Sequence, residues 1–162
     1  MESAKRIVTP LENLFDSICS CVEGIDGLET SRGSVDIDVY GKHLENKKEY
    51  LNDYTDDDFF AVGEISLSTL NIDFNGSKIE FVMNNQYQKR LNWVIEIIIN
   101  GVVSNEFSIS HPYSIIPNDD ERSQFNCVYI QSLGGNYVLS SESVMAGFLR
   151  SILLSEPFSF DS

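Results

Sequence analysis

Basic side chains are scarce in this sequence. Eleven Lys and Arg stand against 25 Asp and Glu, and with both histidines neutral the formal charge is −14. That balance argues against nucleic acid as a partner, because phosphate contacts need a basic surface. It argues equally against an anionic membrane surface. Cysteine is rare and odd in number: Cys19, Cys21 and Cys127. Three thiols do not make a disulfide framework, and a C-x-C pair without a nearby histidine is a poor zinc site. Long apolar runs are missing too. A run such as Ile97-Ile98-Ile99 falls far short of a membrane span. No G-x-S-x-G, C-x-x-C, H-E-x-x-H, G-x-G-x-x-G or P-loop signature occurs, so no common catalytic or cofactor class is indicated.

What is present is enough for a core. The 162 residues are 42% apolar and 11% aromatic, too rich for disorder. A chain of about 150 residues buries roughly two thirds of its unfolded surface and needs no staple. One globular domain over 1–162 is expected, with 1–8 and 157–162 frayed. Met1-Glu2-Ser3-Ala4-Lys5-Arg6 lacks the apolar core of a signal peptide, so Asn75-Gly76-Ser77 reads as a turn rather than a glycosylation site. A cytoplasmic location is the expectation.

Thr9-Pro10-Leu11-Glu12 carries helix-start signals, with Thr9 as cap and Pro10 at the first helical position. Leu11, Leu14, Phe15, Ile18 and Val22 then repeat at helical spacing, and Gly24 and Gly27 close the element. From Val35 the period becomes two. Val35, Ile37 and Val39 alternate with Ser34, Asp36 and Asp38, which predicts a half-buried strand with an acidic outer row. Residues 42–58 read as a polar connection that contains a short helix around Leu44, Lys48 and Leu51.

Two hairpins follow. Leu70, Ile72 and Phe74 lead to Asn75-Gly76, and Ile79, Phe81 and Met83 return. Trp93, Ile95, Ile97 and Ile99 lead to Asn100-Gly101, and Val103, Phe107 and Ile109 return. Asn-Gly between alternating runs is a strong hairpin signal, because both central residues must take positive φ. Residues 112–124 read as a loop, and 125–132 as a strand. Gly134-Gly135 is a turn, and 137–139 its short partner. Ser140 or Ser141 caps a last helix, whose stripe is Val144, Met145, Phe148, Leu149, Ile152 and Leu153, and Pro157 marks its end. The predicted fold is α+β: an antiparallel sheet of about six to seven strands built from hairpins, packed by N- and C-terminal helices as a two-layer sandwich.

Single reactive groups are weak signals. His43 and His111 share no ligand spacing, and a surface role explains each. Asp36 and Asp38 lie on one strand face about 7 Å apart, a separation that solvation explains as well as acid–base or cation chemistry. Asp53 and Asp56-Asp57-Asp58 lack the glycine and terminal glutamate of a calcium loop. No metal site and no cofactor are expected. Charge distribution says more: Leu51 to Ser77 holds six acidic residues and no basic one. Tyr50, Tyr54, Phe59 and Phe60 are interleaved with these acids or flank them.

In class terms the chain resembles an immunity protein of a contact-dependent or secreted bacterial toxin system. The resemblance rests on size, acidity, α+β build and missing catalytic motifs. It covers no residue motif, so it transfers no site residues. It implies a basic protein partner, such as a nuclease toxin domain whose Lys and Arg hold phosphates. The expected contact residues are Asp36, Asp38, Asp53, Tyr54, Asp56, Asp57 and Asp58, with a second patch at Asp119, Asp120 and Glu121. Two other classes fit the composition: a dimeric cytoplasmic chaperone for a secreted effector, and a carboxylate- or metal-dependent enzyme.

Overall fold

The computed structural model describes residues 2–42, 59–83, 93–111, 129–132, 135–139 and 141–159. Helix α1 spans Glu2–Val22 and helix α2 spans Glu142–Leu154. Between them lie β1 (Leu28–Lys42), β2 (Phe59–Phe74), β3 (Ser77–Met83), β4 (Trp93–Ile99) and β5 (Val102–His111). The body of the sheet is five strands of seven residues or more. Two four-residue strands, β6 (Tyr129–Ser132) and β7 (Gly135–Val138), extend it. All pairings are antiparallel and the order follows the chain from β1 to β7, so the α+β class stands.

The apolar stripe of α1 lies where its spacing puts it: Leu11, Leu14, Phe15, Ile18 and Val22 are all buried. The start of the helix differs from the reading above. It begins at Glu2, not Thr9, so residues 2–8 belong to the helix and Pro10 is interior. Val8, one turn before Leu11, packs against the core and continues the stripe upstream. Proline keeps a helix-compatible φ and forfeits the bond to the carbonyl four residues back. Beyond Val22, Gly24 and Gly27 take φ of 85° and 79° and turn the chain into β1.

The C-terminal segment is also better held than expected. Ser155 at φ 58° ends α2 ahead of Pro157. Phe158 then returns to stack near Phe107 and Tyr137, with centroids 5.5 and 5.3 Å away. These rings continue an aromatic series through the core. Phe81 meets Phe15 of α1 and Phe148 of α2, each at 6.3 Å and edge-on, and Phe148 meets Phe107 at 5.4 Å. Edge-on pairs add about 0.5–1.5 kcal/mol each beyond burial. Ser141 is the N-cap residue of α2, but its hydroxyl meets the Ser143 hydroxyl at 3.1 Å rather than a backbone amide.

Both Asn-Gly turns form as their chemistry dictates, with φ of 51° and 79° at Asn75 and Gly76 and 51° and 83° at Asn100 and Gly101. Their strands then diverge. The β2–β3 pair is regular. The β4–β5 pair slips: between Glu96↔Ser108 and Ile98↔Val103, β4 advances two residues and β5 five. An odd excess reverses side-chain facing. Val103, expected beside Phe107 and Ile109, instead shares the face of Ile98 and is 45% exposed. The Ser104 hydroxyl accepts the Glu106 and Phe107 amides, both at 3.2 Å, which satisfies donors that the slip leaves without a ladder partner.

The β1–β2 ribbon holds the second departure. Strand β1 begins at Leu28, seven residues before the predicted Val35. Its register with β2 is unbroken from Leu28↔Phe74 to Val39↔Gly63. Yet the apolar row changes parity along it. Leu70 and Ile72 are buried in one half, and Ile37 and Leu67 in the other, all in a single cluster. Right-handed twist, greatest in two-stranded ribbons, rotates a strand's faces along its length, so a long ribbon must switch rows to keep facing one core. The switch falls at Gly33↔Thr69 and Ser34↔Ser68, four small residues. A Cβ added at Gly33 would sit 2.8 Å from the buried Thr69 hydroxyl, so this crossing is tight.

Candidate functional site

The row switch decides where the β1 carboxylates point. Asp36 and Asp38 stand on the face opposite to buried Ile37, where Asp36 is exposed and Asp38 half-buried. Asp38 lies directly across from Glu64, itself exposed, and Asp36 across from Ser66. Directly opposite residues have Cβ atoms about 5 Å apart, so Asp38 and Glu64 concentrate negative charge. Glu64 belongs to the basic-free stretch of the sequence.

Arg32 has the same parity but lies beyond the row switch, across from buried Leu70, on the side that faces α1. Its guanidinium pairs with Glu12 at 3.3 Å and Asp16 at 2.9 Å and lies 5.2 Å from the Phe15 ring centre. This cation joins ribbon to helix. Asp36, Asp38 and Glu64 are thus brought together. The other expected contact residues, Asp53, Tyr54, Asp56, Asp57, Asp58, Asp119, Asp120 and Glu121, lie outside the described residues, as do the proposed helix around Leu44–Leu51 and the loop 112–124. Among the described residues no three His, Cys, Asp or Glu side chains come together as a metal site. No helix among them is long and apolar enough to cross a membrane.

Sequence reasoning did not anticipate a second feature. The two helices leave a cleft of about 560 Å³ between them, within the usual range for binding pockets. Cys21 of α1, Ile25 beyond it, Phe74 of β2, and Ala146, Leu149 and Leu153 of α2 are among its lining residues. At its edge Ile25 is 38% and Leu154 52% exposed. Glu142 and Arg150 also line it. The Cys21 thiol is pushed above the ordinary thiol range, first by desolvation and then by the negative charge of Glu142. One signal for the cleft was in the sequence: the stripe of α2 is wide, and Leu153-Leu154 extends it past what one buried face requires. No protein-family model matches this chain, and comparisons with curated proteins and with solved structures find no significant match.

Proposed function

We propose that this chain is an acidic inhibitory binding protein of the immunity type, which neutralises a basic bacterial toxin domain through electrostatically steered binding in the cytoplasm. The observation that carries the reading is the acidic face of the β1–β2 ribbon, where exposed Asp36 and Glu64 and half-buried Asp38 gather. Carboxylates grouped on one face complement a cationic protein surface. A negative field raises the encounter rate with such a partner and favours it over acidic competitors. The ribbon beneath keeps its register from Leu28 to Val39, shifts it between Val39 and Tyr40, and is tied to α1 through Arg32. We also read the two helices as one layer and the sheet as the other, a two-layer sandwich supported by the Phe15–Phe81–Phe148 contacts.

The test is affinity capture from the native cell, followed by co-expression of the captured domain with this chain. The reading expects a basic domain whose toxicity the chain abolishes. A captured domain that stays toxic when bound overturns it. The chaperone reading draws support from the apolar cleft, since a client needs exposed apolar surface. Light scattering separates the two, because a strict monomer disfavours a dimeric chaperone. No observation among the described residues favours the carboxylate or metal enzyme.

A further inference from the structure

We infer that the cleft between α1 and α2 is an anchoring site for an amphipathic basic helix of a partner protein. This inference shares with the preceding reading the premise of a cationic partner, but places apolar docking between the helices, apart from Asp36, Asp38 and Glu64. Charge steers an encounter, whereas affinity comes from apolar anchors in desolvated pockets. The described side chains around Asp36, Asp38 and Glu64 offer charge and little apolar surface. The cleft offers Leu149, Leu153, Ile25 and Leu154, of which Ile25 and Leu154 are exposed.

The geometry suits a helix. A trough between two helices above a sheet accepts a third one by ridge-and-groove packing, and amphipathic helices bind such grooves through i, i+3, i+4 anchors. Charge selects the sign. Glu142 lines the cleft, exposed Asp26 follows Ile25 in the chain and exposed Glu156 stands two residues past Leu154, while Arg150 is the one cation among the described lining residues. The molecule as a whole carries −14. Lysine and arginine on the helix's polar face complement that surroundings, and an acidic helix is repelled.

The probe is a labelled Leu/Lys amphipathic peptide of about 14 residues, roughly four helical turns, with its Leu/Glu counterpart as control, on the full chain. Binding is read by anisotropy and by site-resolved alkylation of thiols. The Leu/Lys peptide should bind and slow alkylation of Cys21, while Cys19, outside the cleft lining, keeps its rate. Ala146→Trp, which fills the cleft from an exposed position, should weaken binding about tenfold or more. Leu154→Lys at the rim should do so several-fold and serves if Ala146→Trp does not fold.

Unchanged Cys21 labelling, or equal binding by both variants, overturns the inference. So does equal binding of the Leu/Glu peptide, or a dimer that Ala146→Trp dissociates, which would make a second copy the occupant. The two readings fail separately. Toxin neutralisation that survives Ala146→Trp removes the cleft alone, and peptide capture in the cleft without any toxin partner removes the immunity reading alone.

Discussion

The acidic ribbon and the helix cleft are built from opposite materials. On the ribbon, Asp36, Asp38 and Glu64 stand beside a register shift at Val39/Tyr40, with Ile37 and Leu67 turned into the core. At the cleft, Ile25 and Leu154 stay exposed and charges sit at the margin. The described acidic residues of the ribbon can attract but offer little apolar surface with which to hold. The cleft can hold but attracts only through its surroundings. Association rate and residence time should therefore respond to different substitutions.

The largest expected effect lies in the core both regions share. Phe81→Ala removes the ring that links Phe15 to Phe148 and should cost about 3–5 kcal/mol in urea unfolding. A loss under about 1 kcal/mol would mean that ribbon and helices are not tied through this ring. Next comes the split between the two surfaces on a captured partner. Asp36→Lys with Asp38→Lys should slow association about tenfold, or ~1.4 kcal/mol, and leave dissociation nearly unchanged. Ala146→Trp should do the reverse. Surface plasmon resonance reads both rates, and identical responses of the two variants would erase the distinction.

A smaller effect tests the row switch. Gly33→Ala should cost about 1 kcal/mol through the Thr69 hydroxyl, and Thr69→Ala in the same chain should restore part of it. Purely additive costs would mean the two positions do not crowd each other. Arg32→Met should cost less than about 1 kcal/mol, since its ion pairs with Glu12 and Asp16 are well exposed. Smallest is a titration. The alkylation profile of Cys21 should lie at higher pH than that of an unhindered thiol, and Glu142→Gln should move it partway back down.

Much of the fold was legible because it rests on local chemistry. The α1 stripe, both Asn-Gly turns and the inward rows Ile79–Phe81–Met83 and Ile95–Ile97 follow from period and turn type alone. What escaped depends on geometry beyond the window. Val103 keeps the alternation that predicts burial, and only the slip opposite Ile97 turns it outward. The change of row at Gly33 and Ser68 follows from ribbon twist, which no short window contains. Phe158 looked like a frayed tail because its partners Phe107 and Tyr137 are distant in sequence. Of the candidate site, the exposed setting of Asp36 followed from alternation with Ile37. The cleft did not, because a cavity is a property of how two helices sit on a sheet, and each helix alone shows only a stripe.

The most direct test of steering by charge is the association rate of the captured partner with the unaltered chain between low and high salt. The rate should fall steeply as salt rises while the dissociation rate stays nearly flat, because screening acts on the approach and not on apolar anchoring. An association rate independent of salt would contradict the account.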